Sequence, residues 1–555
     1  MEGFIDWRGN PINKGKHGGR RAAAFIYVIV VMSNLAFVPT TTDMVGYLRE
    51  TMHMDLAATS STVTTFIGGT CLSALLGGCL SDSYINRFTT ILIFGPIEFL
   101  GFCLLAIQAH LPSLQPPSCD ISSPLGGCQH VDGYKALLLY VAMYTVALGE
   151  GCLRANFESF GADQFDDEDL GELHHKSSFF NWYGFCCLAG PLVGFTLTVW
   201  VANNVGWEYG FALSAGAMLL GLMTLVAGFS FYRYQRPIGS PLTRMLQVLV
   251  AAFRNRKLVL SDNGEELLLE LVNKEEEGEM LAHTKGLKWL DKASFSQGNQ
   301  SRWSSCSLSQ VEETKIVLRM LPIFVCAVFG YMSIPQLITF TVQQGSTMDT
   351  KVGPVEIPTA SLLLIPVVLQ MILLIAYDRF FVPSARNITG YRSGITHLQR
   401  VGVGFVATSV AAFLAGIVEW KRKQIAEAHG IVEITESKVP MSVMWLGIQF
   451  LALGTTDAFM FVGLLEFFNS EVSRGMKSLG TAVFWCVIGL ASFMGSLLVQ
   501  LVNRQTGWLV GNNLNKNYLD RYYWLLAFIG TVAFLSYLYF AKRYVYRHNP
   551  HLLLA

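Results

Sequence analysis

The sequence predicts an all-α integral membrane protein of about twelve transmembrane helices, arranged as two six-helix bundles. Three observations predict it. Of 555 residues, 52% are hydrophobic and only 14% are charged, against about 25% charged in soluble domains. About twelve segments reach the roughly 20 mostly apolar residues that a bilayer crossing requires. The longest polar stretch divides those segments six and six. A soluble protein with buried helices rarely holds so many long apolar runs.

The elements follow in chain order. Residues 1–21 form a polar N-terminal segment with Lys14, Lys16, Arg20 and Arg21. No short apolar run with a small-residue cleavage site follows, so a cleavable leader is not expected. The first bundle, 22–232, holds candidate spans at 22–47, 59–81, 88–109, 134–158, 179–202 and 208–232. The linker, 233–315, carries Glu265-Glu266 and Glu275-Glu276-Glu277, which read as solvated charge. Its Leu267, Leu268, Leu269 and Leu271 suit either an amphipathic helix on the membrane face or a flexible connection. The second bundle, 316–541, holds spans at 316–343, 359–380, 400–419, 441–468, 476–503 and 522–541. A tail, 542–555, contains Lys542, Arg543 and Arg547. The halves echo each other, since each second helix ends in a charged turn. Asp82 with Arg87 closes one, and Asp378-Arg379 with Arg386 closes the other. Matched halves of this kind are the mark of a repeat-built carrier with its site at their interface.

Charge sets the orientation and excludes some partners. Arg87, Lys176, Arg379, Arg386, Arg392, Arg474 and Lys477 all fall on one side if both termini are cytoplasmic. Lys421-Arg422-Lys423 falls on the other side and breaks the rule locally. The expected location is the plasma membrane, with an internal membrane as the alternative. The 40 basic and 40 acidic residues balance, so no basic field exists to hold nucleic acid. The 11 cysteines show no metal-ligand spacing. Cys119 and Cys128, in the outer loop 110–133, either bridge on the oxidising side or remain thiols. The sequons at Asn299 and Asn387 are placed inside. His174 and His175 beside Asp166 and Glu172 lack fixed ligand spacing, so no metal is expected. No catalytic triad and no Walker-type loop is visible, so neither an enzyme nor a cofactor is expected. Transport against a gradient would then draw on an ion gradient.

Charged residues inside the spans point to a site, because each costs about 2.5–3.5 kcal/mol near the bilayer centre. Glu150, Arg154 and Glu158 lie on the fourth span, with Glu150 and Arg154 one turn apart on one face. Arg154 either anchors an anion, with Glu150 or Glu158 competing for it, or forms a self-satisfied pair with Glu150. Its planar fork suits carboxylate or nitrate. Asp457 sits mid-membrane on the tenth span with no cation on its own helix. It is a candidate for substrate contact or proton carriage, or else is bound to neighbouring threonine hydroxyls. Glu466 and Glu98 read as structural, and Asp43 as lining the outer vestibule.

Several runs go further. Phe160-Gly161-Ala162-Asp163-Gln164-Phe165-Asp166, Phe179-Phe180-Asn181-Trp182, Gln343-Gln344-Gly345 with Met348-Asp349, Leu398-Gln399-Arg400 and Leu465-Glu466-Phe467-Phe468 together resemble the plant nitrate/peptide transporter family. That family is the plant branch of the proton-coupled oligopeptide transporters of the major facilitator superfamily. Gly286-Leu287-Lys288-Trp289-Leu290-Asp291-Lys292-Ala293 resembles its central loop. The resemblance implies a symporter with alternating access and a central cavity. It places Arg154 on the family's fourth-helix lysine, Asp457 on its tenth-helix cavity acid, and Thr90 on a threonine phosphorylated in the dual-affinity nitrate member.

The departures are informative. The family's first-helix Glu-x-x-Glu-Lys/Arg reads Val30-Val31-Met32-Ser33-Asn34, so both acids and the base are gone. The histidine used for nitrate falls at Ile334, and the proline between helices ten and eleven falls at Ser473. The usual Asn and Ser of the fifth-helix signature are Leu188 and Pro191, and Glu150 is an added acid. Trp7-Arg8, Lys16-His17-Gly18-Gly19, Ile97-Glu98-Phe99-Leu100-Gly101 and Pro116-Pro117-Ser118-Cys119-Asp120 resemble the branch with abscisic acid and gibberellin carriers, which also holds nitrate-type members. Those hormones are weak acids with apolar bodies, and one arginine among apolar walls suits them. Phe37, Phe340, Phe459, Phe461 and Trp485 are wall or core residues, and Asn34 is a further contact candidate. The expectation is a carrier for a small anion, either such an organic acid or nitrate. Protons are the coupling partner if Glu150 or Asp457 replaces the missing acids. A proton-independent facilitator or exporter, and a receptor that kept the fold without transporting, remain open. So does the oligomeric state.

Overall fold

A computed structural model describes residues 4–13, 16–117, 131–166, 170–235, 241–257, 286–294, 303, 306–352, 355–389, 394–433, 438–472, 477–510 and 513–546. Among the described residues, twelve helices are long and apolar enough to cross a membrane. In order, spans 1 to 6 are Gly19–Glu50, Leu56–Ser83, Arg87–His110, Gly133–Ala162, Trp182–Asn204 and Trp207–Ala227. Spans 7 to 12 are Leu308–Ser346, Thr359–Thr389, His397–Ala428, Val443–Glu471, Gly480–Thr506 and Leu519–Arg543. Every apolar run of the sequence is one of these helices. Pro39, Pro96, Pro191 and Pro322 sit inside helices without ending them, as neighbouring helices in a membrane protein allow.

Local chemistry sets the helix starts. Asp55 accepts from the Ala58 N–H at 2.6 Å and Asn86 from the Thr89 N–H at 2.8 Å, each satisfying an orphan donor of the first turn. Ser307 with Gln310, and Thr396 with Gln399, form reciprocal capping boxes. Gln399 of the Leu398-Gln399-Arg400 run therefore has a local task, while Leu398 is buried in the core.

The first six spans pack mainly on one another, as do the last six, and spans 2 and 11 meet extensively between the halves. An even number of crossings puts both chain ends on one side, here called the terminal face. There, Phe4–Ile5 pairs antiparallel with Tyr234–Gln235 after span 6. Close approach is made at glycines. A Cβ at Gly151 would lie 2.1 Å from the Thr70 carbonyl oxygen, and one at Gly404 would lie 2.3 Å from Met460 Cβ.

The opposite, far face is where hydrogen bonds join the halves. Ser60 meets Thr339 at 2.8 Å, and Ser61 meets Ser496 at 2.5 Å. Gln500 Nε2 donates to Ser61 at 2.9 Å, and Ser361 donates to the Phe195 carbonyl at 2.9 Å. These residues sit in the far-face portions of spans 2, 5, 7, 8 and 11. The seam is built from hydroxyls, amides and backbone, with no ion pair among the described residues.

The structure corrects two expectations. Tyr377-Asp378-Arg379 does not end its helix. It lies in a π-turn, Tyr377–Phe381, after which the helix continues to Thr389. Span 9 runs through Lys421-Arg422-Lys423 to Ala428, because these cations are answered locally. Arg422 and Glu419 form a fully buried pair at 2.7 Å, Lys423 pairs with Asp520, and Lys421 lies 4.0 Å over Trp445. Locally neutralised charge exerts little pull on topology. The leucines at 267–271, the acidic runs of the linker, and Cys119 with Cys128 lie outside the described residues. An amphipathic helix does occur earlier in the linker, at Pro241–Arg254. It buries Val248, Ala251 and Ala252 against Leu290, Ala293 and Val311.

Candidate functional site

The site begins with Arg154, whose side chain keeps 23% of its surface exposed. Its Nε and Nη2 both donate to Glu150 Oε1, at 3.0 and 2.7 Å. The i, i+4 spacing brings the two together on span 4. The guanidinium lies 5.1 Å from the ring centre of Phe37 on span 1 and 5.0 Å from that of Trp485 on span 11. These cation–π contacts hold it between side chains of both halves. Nη1 is the open edge: it has no hydrogen-bond partner among the described residues.

Glu150 is buried, and its second oxygen accepts from Ser33 Oγ at 2.8 Å. Span 1 thus meets this pair through a hydroxyl, and the carboxylate comes from span 4. Asn34 Nδ2 is turned back onto the Val30 carbonyl at 2.9 Å, which engages one of its two N–H donors. Glu98, on span 3, is wholly buried with both carboxyl oxygens unpartnered. A Cβ at Gly149 would lie 2.4 Å from Glu98 Cβ, so spans 3 and 4 touch at this residue, next in sequence to Glu150.

The second half contributes Asp457. It opens a π-turn, Asp457–Phe461, between the two α-helical parts of span 10, and it is partly exposed. Thr455 and Thr456 bond back to the carbonyls of Leu451 and Ala452, so their hydroxyls do not hold Asp457. Tyr331 of span 7 lies in the neighbourhood of Asp457 and of Cys71 of span 2, and Cys71 in that of Arg154. Sequence reasoning singled out neither, because a tyrosine and a cysteine in apolar spans look like ordinary packing.

The remaining candidates divide. Phe459 stacks edge-on with Tyr377 at 5.8 Å, and Phe461 edge-on with Trp485 at 6.0 Å, close to the Arg154 sandwich. Phe340 is wholly buried against Tyr522 and Tyr523, which places it in the core of the second half and not on a cavity wall. Glu158, one turn beyond Arg154, is partly exposed and has no hydrogen bond or ion pair among the described residues. Asp43, near the far-face end of span 1, is buried and accepts from Asn203 at 3.0 Å through both oxygens.

At the terminal face, Arg87 pairs with Asp82 at 3.2 Å and with Asp163 at 2.5 Å. Asp163 belongs to the Phe160–Asp166 run. Thr90 is fully buried and donates to the Asn86 carbonyl at 3.2 Å, so a kinase would reach it only after the start of span 3 opened. Arg379 is exposed, and nothing is described of the Asp378 side chain. In the second half, Arg400 bonds Glu466 at 2.9 Å, and His397 approaches the same oxygen at 3.3 Å. The N-terminal segment is strapped to this face. Gly18 N–H donates to Phe231 O and Gly19 N–H to Gln164 O, each at 2.7 Å. Arg233 donates to the His17 carbonyl at 2.9 Å and to both oxygens of Glu172. That bond from Arg233 holds the Glu172 carboxyl below the usual glutamate range.

Comparison with known proteins agrees with this architecture. Residues 88–518 match the POT family. The chain is 41% identical over 552 residues to the Arabidopsis thaliana protein NRT1/PTR family 4.5, covering 98% of this chain and 97% of that one. It is 40% identical to NRT1/PTR family 4.6 of the same plant, over 98% and 97% of the two chains. Among solved structures, an auto-inhibited POT family peptide transporter superposes with a TM-score of 0.70 at 18% identity, covering 96% of this chain and 99% of that one. A peptide transporter POT in complex with sulfate gives 0.63 at 14% identity, over 96% and 98%. With twelve apolar helices in two halves, a family match over most of its length and relatives similar from end to end, the chain belongs to the POT family of membrane transporters, alongside the plant NRT1/PTR proteins.

Proposed function

We propose that this transporter moves a small anion, an organic acid with an apolar body or nitrate, by alternating access of its two halves. The observation that carries the reading is the Arg154 guanidinium, held between Phe37 and Trp485 with Nη1 open. An arginine fork donates in plane to a carboxylate or nitrate oxygen, and Nη1 has no hydrogen-bond partner among the described residues. Glu150 is the built-in competitor, since it holds the other edge of the same guanidinium. Protonating Glu150 would release Arg154 to the incoming anion, which couples the proton to the substrate without the family's first-helix acids. Asp457 supplies the polar contact from the second half. The loss of those acids, at Val30 and Ser33, also favours a second reading, a proton-independent facilitator or exporter. We place the terminal face on the cytoplasmic side, on the asymmetry of Lys and Arg in the short loops, and take the plasma membrane as the expected location.

The test is uptake of labelled nitrate, a dipeptide, abscisic acid and gibberellin in oocytes at two external pH values, with and without Arg154→Ala. Saturable uptake of at least one anion, lost in Arg154→Ala at equal surface expression, is the expected result. Uptake of every anion unchanged by Arg154→Ala would end the proposal.

A further inference from the structure

The π-turn of span 10 is held from outside. One inserted residue in a helix shifts the following part by about 100° about the axis, since each residue turns by 360°/3.6, and it breaks the regular backbone ladder. Here the break falls at Asp457–Phe461. Arg400 Nη2, from the first turn of span 9, donates to the Ala458 carbonyl at 3.0 Å. The same guanidinium gives Nη1 to Glu466, two turns further along span 10, at 2.9 Å. Its flat face lies 4.4 Å from the ring centre of Tyr377, the residue that opens the π-turn of span 8. Tyr377 in turn packs edge-on with Phe459 inside the span 10 turn. Further along the same face of span 9, Gly404 lets the helix touch Met460, and Thr408 reaches Thr456 Oγ1 at 3.4 Å. One buried cation therefore bridges the turn and the α-helix that follows it.

We propose that Arg400 is a positioning residue for Asp457: by spanning from Glu466 to the Ala458 carbonyl it holds the π-turn in place and sets the direction in which Asp457 faces the space between the halves. The inference rests on the reading of Asp457 as a substrate-side group. It explains why this arginine is buried where lipid-embedded cations are costly. Lysine would not replace it, because an ammonium offers a single point of charge and no flat face. It also links the terminal-face network of Glu466 and His397 to the middle of the membrane through a single side chain.

The test uses the full-length transporter in membrane vesicles carrying Asp457→Cys, treated with a charged methanethiosulfonate. Labelling is read by mass spectrometry of the peptide that contains residue 457. Adding Arg400→Ala should slow labelling about tenfold, the worth of one hydrogen bond from a charged donor. Adding Gly404→Ala should slow it comparably without touching any charge, because the new methyl displaces Met460. Arg400→Lys should fail to restore the rate. In a parallel Glu158→Cys background, labelling at residue 158 should be unchanged by all three. Unaltered labelling at residue 457 in both Arg400→Ala and Gly404→Ala, or full recovery in Arg400→Lys, overturns the proposal. Loss of nitrate and abscisic acid uptake in Arg154→Ala is read separately. An Asp457 without any role in transport would therefore leave the labelling result standing.

Discussion

Replacing Glu150 with glutamine is the most direct probe of the competition at Arg154. In the structure, Glu150 Oε1 takes two N–H groups from Arg154, and Oε2 takes the Ser33 hydroxyl. An anion binding the full fork must first displace the two arginine bonds. Hydrogen bonds to charged groups are worth about 1.5–3 kcal/mol each in net terms. Arg154 remains 23% exposed, and solvent screening reduces the gain from releasing it. About 1–2 kcal/mol of competition remains, or roughly 5–30-fold in apparent affinity. Glu150→Gln keeps the shape and removes the charge. Anion affinity should rise by that factor, dependence on external pH should vanish, and exchange of labelled for unlabelled substrate should continue. The assay is concentration-dependent uptake and counterflow in oocytes or vesicles at two pH values, corrected for surface expression. A pH profile identical to the parent, or weaker anion binding, would refute the idea that Glu150 is both competitor and proton carrier.

Two further predictions concern the scaffold. Glu172, whose carboxyl Arg233 holds below the usual glutamate range of about 4.3, stabilises the N-terminal strap. A depressed folded-state value means that the stabilisation is complete above the ordinary range and is lost as pH falls through the lower, folded value. Protection of the Gly18 and Gly19 amides against hydrogen exchange, corrected for the intrinsic pH dependence of exchange, should therefore fall on acidification. It should already be low at neutral pH in Glu172→Gln, with the acid step gone; equal protection of both proteins at neutral pH would count against the strap. Glu419→Ala should lower stability by about 3–5 kcal/mol by stranding Arg422, seen as a fall in melting temperature in detergent. Glu419→Leu with Arg422→Met should recover most of it, since an apolar pair avoids the desolvation cost.

The spans were legible because lipid imposes one rule, a long apolar helix, and twelve runs obeyed it. Which face of each helix matters was less legible. Phe37 and Phe340 look alike in sequence, yet one lies against Arg154 and the other is sealed against Tyr522 and Tyr523. Apolar patterning reports burial in lipid or protein without saying which. The Glu150–Arg154 pair was visible from spacing alone, but Ser33 as its third member depends on how spans 1 and 4 cross. The π-turns left no mark in the sequence. The contacts of Arg400, Tyr377 and Gly404 with the span 10 turn depend on how the helices cross, and at the sequence level Arg400 was part of a motif without a role. The offending charges at Lys421–Lys423 became intelligible only once Glu419 and Asp520 were seen beside them.

On the far face, the seam between the halves is closed by neutral groups. Alcohols and amides such as Ser60, Ser61, Thr339 and Ser496 carry no net charge, so parting them moves no ion through the electric field of the membrane. Each bond can be traded for a water molecule at nearly equal enthalpy, one after another, like teeth of a zip. Opening this side should therefore be indifferent to voltage and ionic strength and should respond instead to how readily water wets the crevice.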